Sequence, residues 1–376
     1  MMETMDGFTC ISNRIKEFYP DQEGLYYGTL VPGFLGGNDP LDGVEIWESD
    51  KGCPHWLYVT YGFTDLYVDE GGEDEDEDEN ENGEDEDEDD SADKEDAENA
   101  EDYEGEGVSG YGFELTFRLK RGSEDAPPVW PVNMLQNLAR YVFSTGNGFA
   151  PGHYLNANGP IALETDTKLT CLGFLTDPEL GCIETANGSM TFIEAIGLTL
   201  DEHEAMMCWN GQRFLDELTR HIPCGIADLS RTTLMEQPDF RSVWEQGVAR
   251  DGSSTGVLYL PELAASMKNG TCRLTFGAGH VTQTMTLLRA RIGKDRPFVL
   301  QCAETVISFT KAQQPDIHRD GETFFSISLT CANLDEICQR VKPHTGTYLM
   351  NTIPLTVEIV PTHIRDKDGT IIETIE

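Results

Sequence analysis

From residue 55 to residue 63 the chain reads His-Trp-Leu-Tyr-Val-Thr-Tyr-Gly-Phe, an aromatic and β-branched run that predicts a strand. Residues 112–120 alternate: Phe113, Leu115, Phe117 and Leu119 fall on one side, Glu114, Thr116, Arg118 and Lys120 on the other. That period of two predicts a half-buried strand with its polar side in water. Helical spacing takes over after Pro127-Pro128 and Pro131, at Met134, Leu135, Leu138, Tyr141 and Val142, and stops at Gly146-Asn147-Gly148. A strand follows at Leu169–Leu175. Asn187-Gly188 predicts a hairpin whose second arm runs from Ser189 to Leu198. Asp201, with Glu204 three residues on, predicts a capped helix with Met207, Gly211, Phe214 and Leu218 on its inner face. His203 reads as an exposed residue of that helix.

Residues 222–270 read as a connector with a short helix near Phe240, Val243 and Trp244. A second block then shows strand-like runs at Cys272–Phe276, Phe298–Phe309, Phe324–Leu329 and Ile353–Val360, and helical spacing at Met285, Leu288 and Ile292 and again from Asn333. The tail after Thr362 is polar and expected to be loose. Strands and helices mix without strict alternation. The expected class is α+β, in two domains, each a mixed or antiparallel sheet with packed helices.

One stretch breaks the pattern. Residues 69–106 hold 25 acids and one lysine, a net of −24, between the two bracketing strands. Like charges with almost no apolar residues cannot offset the entropy of ordering, so 69–107 is expected to be a disordered loop insertion. Lengthening a loop costs only about 0.6 kcal/mol per doubling, so the sheet can carry it. The other residues still have 43 acids against 25 bases, net −18. An acidic body disfavours nucleic acid as partner, because phosphate binding needs clustered Lys and Arg. It favours a basic protein partner, or simple solubility.

The chain is 376 residues long and 39% hydrophobic, with no apolar run long enough for a membrane span. Its first residues lack a basic start and an apolar core, so no signal peptide and a cytoplasmic location are expected; a monomer is expected as well. Ten scattered cysteines, without a Cys-x-x-Cys pair, are expected as buried thiols. Eight histidines show no ligand spacing and the acidic run does not fit a calcium loop, so neither metal nor cofactor is expected. Gly252-Ser-Ser-Thr-Gly matches the pattern of a hydrolase nucleophile elbow around Ser254. An elbow needs a strand before and a helix after it; here the strand candidate, Val257-Leu-Tyr-Leu, follows, and a turn is the better reading. A binding module, not an enzyme, is the default. A serine hydrolase at Ser254 and an acidic chaperone acting through 69–106 stand as alternatives.

Several motifs resemble the suppressor of fused family: Leu35-Gly-Gly-Asn-Asp-Pro-Leu-Asp, the run from Pro54 to Tyr67, Gly110-Tyr-Gly-Phe-Glu-Leu-Thr-Phe-Arg-Leu, Pro128-Val-Trp-Pro, Asp177-Pro-Glu-Leu, Trp209-Asn-Gly and Ile226-Ala-Asp-Leu. Arg273-Leu-Thr-Phe, Leu288-Arg-Ala-Arg and Arg296-Pro-Phe look more distantly like its C-terminal part. The resemblance implies a non-enzymatic scaffold of two domains facing each other across a cleft, which grips an extended partner peptide there by adding a strand, with main-chain bonds giving affinity and alternate pockets giving choice. With it the expected boundaries become an N-terminal segment 1–27, a first domain 28–230, a connector shortened to 231–270, a second domain 271–362 and a tail 363–376. Animal members restrain a transcription factor; bacterial relatives look like immunity proteins that neutralise toxins.

Carried over by motif, the implied partner-binding residues are Tyr141, His153, Ile226, Ala227, Asp228, Gly279, Val281 and Gln283, with 226–229 and 279–283 as the flanking strands. His153 stands where animal members have an aspartate, and Gly279 and Gln283 where they have a glutamate and a leucine. Gly152-His153 looks more like bacterial members, which points to the clamp with a different specificity. The expected role is therefore immunity or regulation through a toxin or regulatory protein, ahead of restraint of a transcription factor.

Overall fold

The computed structural model describes residues 6–29, 37, 39–67, 107–365 and 370–376. The acidic insertion expected at 69–107 lies outside the described residues except for Gly107. The chain separates into two compact units, 1–150 with 176–195, and 151–175 with 196–376.

The first unit opens on helix α1 (Gly7–Phe18), which Asp6 caps by accepting from Thr9 N at 2.8 Å. Strands β1 (Leu25–Gly28), β2 (Gly43–Ser49), β3 (His55–Tyr61) and β4 (Val108–Lys120) pair in that order, each antiparallel to the last. Helix α2 (Trp130–Thr145) follows, ended by Gly146 in a left-handed conformation. Later in the chain come strands β5 (Tyr154–Asn156) and β6 (Leu169–Thr176), which fall in the second unit up to residue 175, then β7 (Cys182–Thr185) and β8 (Gly188–Thr199). The β7–β8 hairpin forms at Asn187-Gly188 as expected, and β8 lies parallel to β4. Ile11 and Ile15 of α1 pack on Trp47, Leu57, Val59 and Tyr61. Phe117 on β4 and Tyr58 on β3 face the other way, toward Trp130 and Pro128 at the start of α2.

The polar side of β4 is not in water: Glu114, Thr116 and Arg118 are all fully buried. The strand is buried on both sides because other segments supply partners for its polar groups. Arg118 donates through Nη1 to Asp177 Oδ2 at 2.6 Å and through Nη2 to Asp177 Oδ1 at 3.1 Å and Glu179 Oε2 at 3.0 Å. Glu194 Oε1 lies 3.0 Å from Nη1, and Lys51 Nζ is 3.0 Å from Glu179. Asp177 also accepts from Thr116 Oγ1 and from the backbone of Glu179 and Leu180. Two of the family-like motifs, ending at Arg118-Leu119 and starting at Asp177-Pro178, thus meet in one buried network. Glu114 accepts from Gly62, Phe63 and Thr64 N and from the Thr60 and Thr64 hydroxyls, pinning the turn after β3. Burial nonetheless pushes its carboxyl up to about 7.

The turn between β7 and β8 holds both flanks of the undescribed stretch. Asn187 Nδ2 donates to Asp65 O at 2.7 Å and Tyr67 O at 3.0 Å, while Ser189 N donates to Gly107 O at 2.7 Å. Gly188, at φ 118°, comes so close that a Cβ there would lie 2.7 Å from Gly107 C.

In the second unit the long helix expected after residue 200 is two: α3 (Leu200–Cys208) and α4 (Gly211–His221), with Asn210 capping the second. The N-cap of α3 is Thr199 with Glu202 as its box partner, two residues ahead of the expected pair. Glu202 doubles as the buried partner of Arg231 at 2.7 Å. Helix α5 (Pro238–Asp251) and strands β9 (Val257–Tyr259) and β10 (Ala264–Lys268) occupy the connector. The remaining elements are β11 (Thr271–Gly277), α6 (Val281–Ile292), β12 (Phe298–Gln301), β13 (Val306–Lys311), β14 (Asp316–Asp320), β15 (Phe324–Leu329), α7 (Cys331–Arg340), β16 (Gly346–Leu349), β17 (Leu355–Val360), β18 (Thr362–Arg365) and β19 (Ile371–Ile375). They make two mixed sheets, β10–β11–β17–β16 and β14–β15–β13–β12–β9, plus a β18–β19 ribbon. The expected single strand 298–309 is a hairpin, β12–β13, and the tail expected to be loose forms the ribbon. The α+β class is as expected.

Helix α5 passes close to Trp209, whose indole donates to Asp251 Oδ2 at 2.9 Å. A Cβ on Gly247 would lie 2.2 Å from the ring. Gly247→Ala should therefore lower stability by about 1–2 kcal/mol, overpacking outweighing the helix preference of alanine. A thermal melt a few degrees below the parent checks it; an unchanged or raised midpoint would show that the ring yields freely.

Candidate functional site

Strand edges are where a sheet can still bond another chain. In the second unit two edges are guarded. β14 carries Asp316, Arg319 and Asp320 among exposed residues, and on β16 the carbonyl of Leu349 accepts from Arg340 Nη1. Two three-residue strands are different.

Among the described residues β5 ends its sheet and pairs with β6 alone, in the register Tyr154↔Gly173, Leu155↔Leu172 and Asn156↔Cys171. His153 O accepts from Phe174 N at 3.0 Å, and Ala157 N donates to Thr170 O at 3.0 Å. Antiparallel alternation then turns the main-chain groups of Tyr154 and Asn156 outward. β9 ends the five-stranded sheet, parallel to β12. Gly256 O accepts from Val299 N at 2.8 Å and Leu260 N donates to Gln301 O at 2.9 Å, which leaves the N–H and C=O of Val257 and Tyr259 outward. The side chains of those two residues are 51% and 61% exposed, while Leu258 between them is buried in the core.

The two edges are neighbours. Tyr154 OH, at the start of β5, is 3.0 Å from Thr255 Oγ1, two residues before β9. The Tyr154 ring packs between both cores of this unit and meets His203 edge-on at 5.0 Å. His203, expected to be exposed, is buried there, because its helix packs against β5. Burial pushes its imidazole down to about 4 and the neighbouring Cys208 thiol up to about 12, so both are neutral at pH 7. An uncharged wall flanked by open main-chain edges suits backbone pairing rather than charge recognition.

The loop before β9 is built to hold it. Ser253 Oγ donates to Met207 O at 2.6 Å, and Ser254 Oγ accepts from Gly211 N at 3.2 Å. Ser254 thus fastens the start of α4. The order here is helix α5, turn, strand β9, the reverse of a nucleophile elbow. Among the described residues no three His, Cys, Asp or Glu side chains converge as metal ligands.

The residues carried over by resemblance fall in several places. Tyr141 lies in the first unit, 39% exposed on α2, with its ring stacked on Phe149 at 5.9 Å. The other seven lie in the second unit. His153 sits at the head of the β5 edge, exposed. The expected strand 226–229 reduces to one bridge residue, Ala227, with Ile226 and Ala227 buried. Cys224 and Gly225 turn left-handed just before it, and Asp228 Oδ1 accepts from Ser230 N and Oγ just after, so the extended path is cut at both ends. The expected strand 279–283 is helical. Gly279 lies in a 3-10 turn and donates to Thr362 Oγ1, Val281 is the buried first residue of α6, and Gln283 Nε2 is 3.1 Å from Met207 Sδ. Val281, Thr284 and Leu288 bury one helical face there, a period that no strand accommodates. The resemblance did not point to Val257 and Tyr259. The signal for them was a four-residue apolar run after a Gly-Ser-Ser-Thr-Gly turn.

Three comparisons bear on this geometry. A family profile described as suppressor of fused protein matches residues 37–232. The suppressor of fused homologs of Homo sapiens and Mus musculus are 32% identical over 264 residues, 66% of this chain. That match spans about half of those relatives, 48% of their length. Among solved structures, Drosophila suppressor of fused superposes with a TM-score of 0.71 at 20% identity, covering 95% of this chain and 97% of that one, a likeness of fold. A structure described as the Sufu–Fu complex gives a TM-score of 0.51 at 28% identity, covering 63% of this chain and 96% of that one.

Proposed function

The chain belongs to the suppressor of fused family, and on that premise we propose that it is a protein-binding regulatory module that takes an extended segment of its partner as an added strand on the β5 and β9 edges. The observation that carries this reading is the pair of bare edges joined by Tyr154 and Thr255. The Sufu–Fu complex supports it, being a relative caught with a protein partner. Main-chain groups of Tyr154, Asn156, Val257 and Tyr259 supply the bonds, and the exposed side chains of Val257 and Tyr259 supply apolar contact.

The module works non-enzymatically in the cytoplasm as a monomer. Its partner is a regulatory protein or a toxin, and the net charge of −18 outside the acidic run favours one that is basic overall. His153 at the head of β5 favours a partner distinct from that of the animal members.

The test is a selection of displayed random peptides against the full chain. Tyr259→Pro removes one outward N–H without touching the β12 ladder, so selected peptides should bind it at least tenfold more weakly, with the melting point within a few degrees of the parent. Tyr259→Ala separates the side-chain share, and deletion of 69–106 should leave binding intact in moderate salt. Peptides that hold the proline variant as tightly as the parent would sink the reading.

A further inference from the structure

Arginines in this acidic chain almost always have a carboxylate. Among the fifteen whose side chains are described, only Arg291, Arg296 and Arg319 lack one within 4 Å. Arg319 lies over the Phe325 ring and donates to Glu322 O at 3.0 Å. Arg291 and Arg296 instead converge on one carbonyl, that of Ser253, at 3.0 and 3.1 Å. The adjacent acid, Asp295, is held by Lys311 at 2.8 Å, and Asp251 by Arg213 and Arg250. Burial, and then the charge of Arg296, hold the Arg291 guanidinium below its usual range. Two uncompensated like charges side by side are unfavourable, and an anion between them would relieve that.

Their position gives the anion a source. Arg291 spends Nε on Pro297 O and Nη1 on Ser253 and Ser254 O, leaving Nη2 beside the first residue before β9. A Cβ on Gly256 would lie 3.4 Å from that nitrogen. Arg296 is exposed and makes one bond, so its outer nitrogens are open as well. A strand laid on the β9 edge carries side chains past this point.

Resting on the function proposed above, we infer that Arg291 and Arg296 form an anion-reading subsite at the Gly256 end of the β9 edge, which takes an oxyanion side chain, carboxylate or phosphate, of the bound partner segment. A guanidinium pair offers the planar donors that both oxyanions fit. The site sets which segment of a basic partner is taken, and in which register.

The peptides that bind the full chain and lose affinity on Tyr259→Pro are the probe. They should share an aspartate or glutamate at one fixed place relative to their apolar alternation. Arg296→Gln should weaken such peptides about tenfold and leave their Asn or Gln versions unchanged, since one charged pair is lost. Arg296→Glu should select lysine or arginine at that place, a reversal that a merely structural arginine would not produce. Phosphoserine substituted there should bind if phosphate is the natural ligand, and fail if the site is shaped for carboxylate. Arg291 stays in place throughout, so the loop keeps its anchor. Edge-dependent peptides with no acidic place, or with affinities blind to Arg296, would overturn the subsite while leaving the strand-addition reading standing. Absence of any edge-dependent peptide would instead sink that reading, and this inference with it, before Arg296 is altered.

Discussion

Replacing Arg118 with methionine should cost about 3–5 kcal/mol of folding stability at neutral pH. The side chain is fully buried, and around it Asp177, Glu179 and Glu194 all lie within 3.1 Å. Methionine fills the volume but returns none of the charge. Asp177 would keep its bonds from Thr116 and the backbone, but its charge would lose the cation that holds the carboxyl below the usual range. An uncompensated charge in a dry interior is what makes removal of one partner so much worse than absence of the whole group. Urea unfolding followed through Trp47 and Trp56, both buried in the same unit, measures the loss. The deficit should shrink as pH approaches 4 and the orphaned acids take up protons. A loss under about 1 kcal/mol at pH 7 would show that the network matters little.

Glu194→Gln should flatten the dependence of stability on pH. Burial, reinforced by the nearby charge of Asp177, pushes the Glu194 carboxyl up to about 8 from 4.5, despite Arg118. The folded chain therefore keeps a proton that the unfolded chain releases, and stability falls as pH rises from about 4.5 to 8. The slope approaches 1.4 kcal/mol per pH unit, for a total of about 4 kcal/mol. Glu114, at about 7, adds a second fall of the same sign. Asp177 and Glu179 are lowered, so their contribution is present above the usual carboxylate range and lost below it. Glutamine copies the protonated form of Glu194 and removes its share. Unfolding curves at pH 5 and pH 8 should converge in the variant by roughly 3–4 kcal/mol relative to the parent. Equal slopes in both proteins would refute the protonated state.

The elements set by local signals were legible from the residues alone. β3 follows from an uninterrupted aromatic run, the β7–β8 hairpin from Asn187-Gly188, and α6 and α7 from their spacing and the residues around Asn333. What escaped depends on distant partners. Alternation in β4 reads Arg118 as wet, because nothing near it says that Asp177, some sixty residues on, will bury it. The cap of α3 slipped by two residues because Asp201 and Thr199 are both good caps and Glu202 is claimed by Arg231 as well. Asp6, a good cap, before Ile11 and Ile15 at helical spacing is a local sign of α1 as well. The candidate edges were hardest, since three residues carry too little periodicity and an edge is defined by a neighbour that is not there. Alignment of motifs did bring out His153 at the head of β5, but it placed strands at 226–229 and 279–283, where the backbone turns or coils.

Because Asn187 and Ser189 hold the chain at Tyr67 and at Gly107 independently, the covalent link between those points is dispensable to the sheet. The chain could be split there, as two fragments that meet at a break between 68 and 106, with each flank still tethered to the same hairpin. The same place offers a grafting port: a reporter or a second binding domain inserted there would leave β3 and β4 in register.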